Sequence, residues 1–331
     1  MITVNFTNSS LNSDETVRIL NESKLHPKAS TVITMNCNLP KITYSTFRLL
    51  LLLKIHEAIS PKKDVEVAKR SFEVPIIAAY SRKSNGSQPK TILRRVKKST
   101  SVAAYQSAIA LQIAAQAQQN PHVLAVEIAE ICRQSLPESR LDSSFVRASV
   151  RDFTVSVTET GFIEFEFGDR AVNAWLQSWL SGESLQPTHD RALKSLGLES
   201  NVLTQDEVFL CQYTYVRCQS LLQVAKSVGL EPLISPDFEP RFAEPSERSL
   251  LFELVAAGDA LLDATAQACG KSAIALAQAF EAFDRDCRML GKRSFTESPV
   301  ARGRLALVMI TQLLLSEFLA QKLGVNLPNS L

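Results

Sequence analysis

Five cations fall within nine residues, at Lys90, Arg94, Arg95, Lys97 and Lys98, with no acidic residue between them. Such a run is either a solvated face or a surface for a phosphate backbone, whose condensed counterions an uncompensated cluster releases. A second basic group, Lys292, Arg293, Arg302 and Arg304, brackets the segment SFTESPVARG, where Ser298 and Pro299 read as the N-cap and first position of a helix. Arginines in or just after a first helical turn oppose the macrodipole, so the expected reason for them is an anion lying at that helix start.

The third candidate is the stretch QYTYVRCQSLLQVAKSVGL, residues 212–230. Turned by about 100° per residue, Cys211, Tyr215, Cys218, Leu222 and Ala225 form an apolar stripe, widened by Leu210, Leu221, Val224 and Val228. Gln212, Gln219, Gln223 and Lys226 take the opposite side. Arg217 falls inside the apolar arc, one turn beyond Tyr213. A guanidinium there must be paired, and the segment carrying Asp284 and Asp286 is able to supply the carboxylate. Alternatively, Tyr213 and Arg217 form an edge on which bases stack or a phosphate is gripped. Spacing alone favours the structural pair. Arg285 and Arg288 follow Glu281 and Asp284 by four residues and read as surface ion pairs.

Catalytic chemistry finds no foothold. The four histidines, His26, His56, His122 and His189, are isolated, and no phosphate-binding glycine loop, dinucleotide fingerprint or zinc-protease motif occurs. His122 after Pro121 reads as a helix-start residue, and His189 as a solvated loop residue. The six cysteines are scattered without a CxxC pair, which argues against structural zinc and a disulfide framework and fits a reducing cytosol. No cofactor or metal is expected. A net charge of +2 leaves any polyanion to local patches rather than a global field. The N-terminal stretch lacks the pattern of a signal peptide, and the run Leu49–Leu53 is too short to span a bilayer, so the expectation is a cytoplasmic protein with no membrane partner.

The elements that would position these residues divide the chain. Residues 1–40 hold short β-rich pieces and stay unassigned. A helix over STFRLLLLLKIHEAIS ends at Pro61, FEVPIIAAY reads as a strand, and SVAAYQSAIALQIAAQAQQ as one long alanine-rich helix. A helix from Pro121, a hairpin turning near Gly161 and a helix over DRAVNAWLQSWL complete an α+β domain at residues 41–182. Residues 183–206 read as a linker, and 207–331 as an all-α helical bundle whose last helix, apolar on nearly every side, belongs at its centre.

The bundle's motifs resemble a known family, the DALR anticodon-binding domain of arginyl-tRNA synthetases. VFLCQYTYVRCQSLLQ stands where that family has a Tyr-rich run, LAQAFEAFDRDCRML resembles its Ala-Phe-x-x-Phe-Tyr-x-x-Cys-Arg helix, and RLALVMITQLLLSEFLAQKLGV its Arg-Leu-Ala-Leu-Val helix. Upstream, YQSAIALQIAAQAQQNPHVLAVEIAEIC and TGFIEFEFGDRAVNAWL resemble the domain with which the same enzymes hold the tRNA elbow. In the family an ATP-binding catalytic domain with His-Ile-Gly-His-like and Lys-Met-Ser-Lys-like signatures separates these halves, and here the linker stands in its place.

The resemblance implies a non-catalytic tRNA-binding protein, an adaptor or regulator with arginine tRNAs favoured, presenting tRNA to a modifying enzyme or synthetase. An auxiliary subunit that supports arginyl-tRNA aminoacylation in trans and a protein-interaction scaffold without RNA binding are the alternatives. The anticodon side would be held by Tyr213, Arg217, Lys292, Arg293, Arg302 and Arg304, and the elbow side by Lys90, Arg94, Arg95, Lys97 and Lys98.

Overall fold

The computed structural model describes residues 46–59, 93–98, 101–134, 144–182, 202–233, 242–262, 265–287 and 299–328. The expected N-terminal β-rich pieces, the expected strand at 72–80 and most of the linker lie outside these residues. What is described is an N-terminal mixed α/β region followed by an all-α helical bundle.

Helix α1 spans Phe47–Ile59, started by Thr46, whose hydroxyl accepts from the Leu49 N–H at 3.2 Å. Phe47, Leu50, Leu51 and Ile55 are buried, and Lys54 is buried with them on the same face. The ammonium has a specific task. It donates to the carbonyls of Cys132 (3.0 Å) and Gln134 (2.9 Å) at the end of another helix, where backbone acceptors lack partners. Burial lowers the Lys54 pKa.

Among the described residues the sheet is four-stranded and antiparallel, in the order β1-β2-β4-β3, from β1 (Leu93–Val96), β2 (Ala103–Ser107), β3 (Phe153–Val157) and β4 (Ile163–Phe167). Strand β2 corrects the expectation of one long alanine-rich helix, because only Ile109–Ala117 of that stretch (α2) is helical. Alanine favours a helix, but β2 pairs with β1 on one side and β4 on the other, and Ala103 and Tyr105 pack into the core. Tertiary pairing overrides weak local propensity here. Alternation along β4 is clean: Ile163, Phe165 and Phe167 are buried, while Glu164 and Glu166 face away.

Helix α3 (Pro121–Arg133) has Pro121 at its first position and the Asn120 side chain accepting from the N–H groups of His122 and Val123. A short helix α4 (Ser144–Arg151) leads into β3. Gly161 turns the β3–β4 hairpin at φ +86°, where a Cβ would also lie 3.1 Å from Pro121. Helix α5 (Asp169–Leu180) follows β4 directly. Its N-cap is Gly168, which has no side chain to cap with; Asp152 instead accepts from the Ala171 N–H at 3.0 Å. A Cβ at Gly168 would stand 2.4 Å from the Asp152 carboxylate, so the borrowed cap demands glycine.

The bundle comprises α6 (Gln205–Ser227), α7 (Pro245–Ala260), α8 (Ala266–Asp286) and α9 (Pro299–Ser316), the last continuing as a π-helical turn over Glu317–Lys322. Leu276, Phe280, Phe283 and Cys287 form the expected buried stripe on α8 and its C-cap. The segment Pro299–Lys322 is long and apolar enough to cross a membrane, but 61% of its most apolar window is buried inside the protein. Among the described helices it is a core helix.

The larger of two hydrophobic clusters among the described residues runs through both parts, from Phe47 to Leu319, and a small second one gathers Ala225, Leu230, Ala301 and Leu305. Trp175 of α5 lies so close to Gly258 of α7 that a Cβ there would come within 2.9 Å of the indole. Beside it, buried Asp259 accepts from the Tyr105 hydroxyl at 2.7 Å and from the Arg48 N–H at 3.3 Å. Burial lifts the Asp259 carboxyl to about 6, opposed by the Tyr105 hydrogen bond and the charges of Arg95 and Arg48. A carboxyl raised in this way favours the folded state most below its unfolded value and loses that contribution as pH rises through about 6. Acidification from pH 7 to 5 should therefore recover about 1 kcal/mol at this site. Thermal unfolding of wild type and D259N at both pH values checks this: the variant should lack that part of the pH slope.

Candidate nucleic-acid interface

Helix α6 begins with a reciprocal capping box: Thr204 accepts from the Glu207 N–H (3.3 Å) and the Glu207 carboxylate accepts from the Thr204 N–H (2.7 Å). Its deepest residues are Cys211, Thr214, Cys218, Leu221 and Ala225. Tyr215 and Leu222, expected at the centre of that stripe, are half-buried flanks instead. The helix is rotated slightly from the expected seating because it packs against two partners, α8 and α9.

That rotation turns the opposite flank outward. Phe209 is 58% exposed and Tyr213 46% exposed, and their rings stack with centroids 6.4 Å apart. Two aromatic faces, one helical turn apart and open to solvent, forgo burial that would otherwise stabilise the fold. Phe209 was not among the residues singled out from sequence. Its signal was the four-residue spacing to Tyr213 on the side away from Cys211. Val224 and Val228 extend the exposed apolar strip toward the end of α6.

Arg217 sits one turn beyond Tyr213, at the edge of the bundle rather than inside it. Its Nε donates to Asp284 at 2.8 Å and an Nη at 3.3 Å, the pairing expected of the structural reading. These hydrogen bonds raise the arginine's already high pKa.

The remaining cations separate by geometry. On α9, Arg302 donates to the Glu231 carbonyl at 3.2 Å, while Arg304 is an internal group, 2.6 Å from the Glu247 carboxylate with 15% and 2% of the two side chains exposed. Arg304 thus has a tertiary reason to occupy an early helical turn, in place of the anion expected there. In the β1 region, Arg94 is exposed and donates to Gln106 at 2.9 Å. Arg95 lies over the Phe252 ring, 3.5 Å from its centroid, and donates to the Phe252 carbonyl. Burial depresses its pKa. Lys97 is exposed, with its ammonium 5.6 Å from the same ring, and Lys98 bridges Glu164 and Glu166 on the outer face of β4. Hydrogen bonds to both carboxylates raise the Lys98 pKa. Lys90, Lys292 and Arg293 lie outside the described residues. The structure therefore leaves Arg94 and Lys97 exposed and Arg302 half-buried against the Glu231 carbonyl, and gives Lys98, Arg217 and Arg304 carboxylate partners.

Other chemistry is limited. Among the described residues no three His, Cys, Asp or Glu side chains are grouped to hold a metal ion. Burial pushes the thiols of Cys132 and Cys211 up to about 12 and raises those of Cys218 and Cys287, so these cysteines stay protonated and unreactive. His122 fills the helix-start position expected of it, its Nδ1 3.2 Å from the Thr158 carbonyl oxygen.

No curated protein and no solved structure matches the chain. Residues 211–331, which begin on α6 two residues before Tyr213 and run to the C-terminal residue, match the family described as the DALR anticodon binding domain, so the helical bundle carries the signature of that family.

Proposed function

We propose that the protein is a non-catalytic tRNA-binding protein related to arginyl-tRNA synthetases, acting as an adaptor or regulator with arginine tRNAs favoured. The observation that carries this reading is the exposed, stacked Phe209–Tyr213 pair at the start of a bundle that matches an anticodon-binding family. Anticodon loops present unstacked bases, and aromatic faces are the surfaces on which such bases stack. Arg217 and Arg302 would flank that platform. Arg94 and Lys97, with Lys90, would meet the elbow if the N-terminal region acts as the elbow domain it resembles. Five buried free thiols among the described residues support a reducing, cytoplasmic setting. The partner to which tRNA is presented would be a modifying enzyme or a synthetase.

Affinity for tRNA should exceed that for an unrelated hairpin of equal length and should fall as salt rises. Tyr213→Ala should weaken tRNA binding by about 1–3 kcal/mol while leaving thermal stability nearly unchanged, since the ring is half exposed. Equal affinity for the two RNAs would refute the reading. The scaffold alternative draws on a different observation: several cations are neutralised internally, and Val224 and Val228 prolong the exposed apolar strip. It predicts that substitutions along that strip abolish capture of a protein partner and leave tRNA binding absent throughout.

A further inference from the structure

A small cavity of about 210 Å³ lies where the first turns of α5, the residue before β2 and the entry to α7 meet. Val102, Val172 and Leu251 make its buried wall, Phe242 adds a half-buried ring, and Asp169 and Ala243 stand exposed at its rim. Asn173 lines it too, and its side chain is the anomaly. Only 6% of that residue is exposed, and its Nδ2 is buried with no hydrogen-bond partner. The Gln177 Oε1, one turn further along α5, is buried and unpartnered as well, so the two amides do not satisfy each other. A buried donor without an acceptor costs the fold its desolvation with nothing returned. An occupant that brings an acceptor would remove that cost. The last torsion of asparagine is soft, so the carboxamide turns to such a group without leaving its rotamer.

The same surroundings decide which acceptor fits. Arg248, the one cation among the described lining residues, is already engaged in an interaction of its own. A carboxylate or phosphate on the floor would be met by a neutral amide, a poor exchange for water. A neutral carbonyl suits it. Asp169 lies four residues before Asn173, hence on the same face of α5, and offers an acceptor for N–H groups. A donor and an acceptor one helical turn apart, beside an aromatic ring and apolar walls, match a flat ring whose carbonyl and N–H are neighbours. The volume is below that of sites enclosing drug-sized ligands, so it takes a ring system and leaves any sugar outside.

We propose that this cavity binds a guanine-type base, free or as its nucleoside. The ring carbonyl accepts from Asn173, the adjacent ring N–H and the exocyclic amine donate to the Asp169 carboxylate, and Phe242 packs on the ring. Adenine presents the reverse pattern, with a ring acceptor that the carboxylate repels. The site is independent of the RNA reading, because none of these lining residues belongs to α6 or to the cations assigned to tRNA.

Isothermal titration of the full chain with guanosine, inosine and adenosine tests it. Guanosine should bind, inosine more weakly for want of the exocyclic amine, and adenosine least. Asp169→Asn and Asn173→Leu should each weaken guanosine by about tenfold or more, and neither should alter tRNA affinity. Absence of guanosine binding, equal affinity for guanosine and adenosine, or indifference of guanosine to both variants overturns the proposal. Loss of tRNA binding in Asp169→Asn without any guanosine binding also overturns it, and assigns the cavity to the RNA surface. Should Asn173→Leu fail to fold, Asp169→Asn, at an exposed position, decides.

Discussion

Glu247→Ala should destabilise the protein by about 3–5 kcal/mol, measurable as the shift in a urea unfolding midpoint at constant m. The Glu247 side chain is 2% exposed, and its carboxylate both receives Arg304 at 2.6 Å and accepts from the Glu244 N–H at 3.0 Å in the capping box of α7. Removing it takes from the Arg304 guanidinium, deep in the bundle, the carboxylate 2.6 Å away, and from the helix start its second acceptor. The cost belongs to the broken arrangement, not to ion pairing as such. Accordingly the double change Glu247→Leu with Arg304→Met should recover most of the loss. The same pair separates structure from the proposed recognition: if Arg304 serves only the fold, the recovered double variant matches wild type in any tRNA affinity measured.

Trp175→Ala should cost about 3–5 kcal/mol, by the loss of a large buried side chain and the cavity left behind. Its indole packs on Trp179 at 6.0 Å, on Phe47 at 6.0 Å, and on the bare backbone of Gly258 across the junction with the bundle. The reciprocal change, Gly258→Val, should cost about 1–3 kcal/mol through overpacking, because the indole is enclosed and has nowhere to move. Differential scanning calorimetry of both variants checks the pair. Both should melt in a single transition with the wild type's cooperativity if the core shared by the two regions unfolds as one unit. Two separated transitions in either variant would show that the indole alone coupled them.

Much of the bundle was legible because helical periodicity reports burial directly. The Leu276–Phe280–Phe283–Cys287 stripe and the Arg217–Asp284 pair follow from spacing and from the rule that an inward guanidinium needs a carboxylate. The strand at Ala103–Ser107 was hidden because alanine carries helical propensity, and the two neighbours that pair with it lie about 10 and 60 residues away in sequence. The cationic sites were legible only as composition. A basic residue reads the same whether it faces solvent, as Lys97 does, or sits on a buried acid, as Arg304 does, and the deciding Glu247 is 57 residues distant. Phe209 was hidden for a related reason: its one four-residue step to Tyr213 lies off the apolar stripe of α6 and is too short to read as a period.

The cap that α5 takes from Asp152 has a consequence for cooperativity. This helix delivers both tryptophans to the shared core, yet its first turn is completed by a carboxylate that precedes the whole β3–β4 hairpin. Cut out as a peptide, the segment from Gly168 onward would have no N-terminal partner for its amides, and a twelve-residue helix is marginal by itself. Registry of the hairpin and docking of the indoles are thereby one event: a slip in the strands loosens the helix, and the loosened helix withdraws the wedge on which the anticodon-type bundle rests.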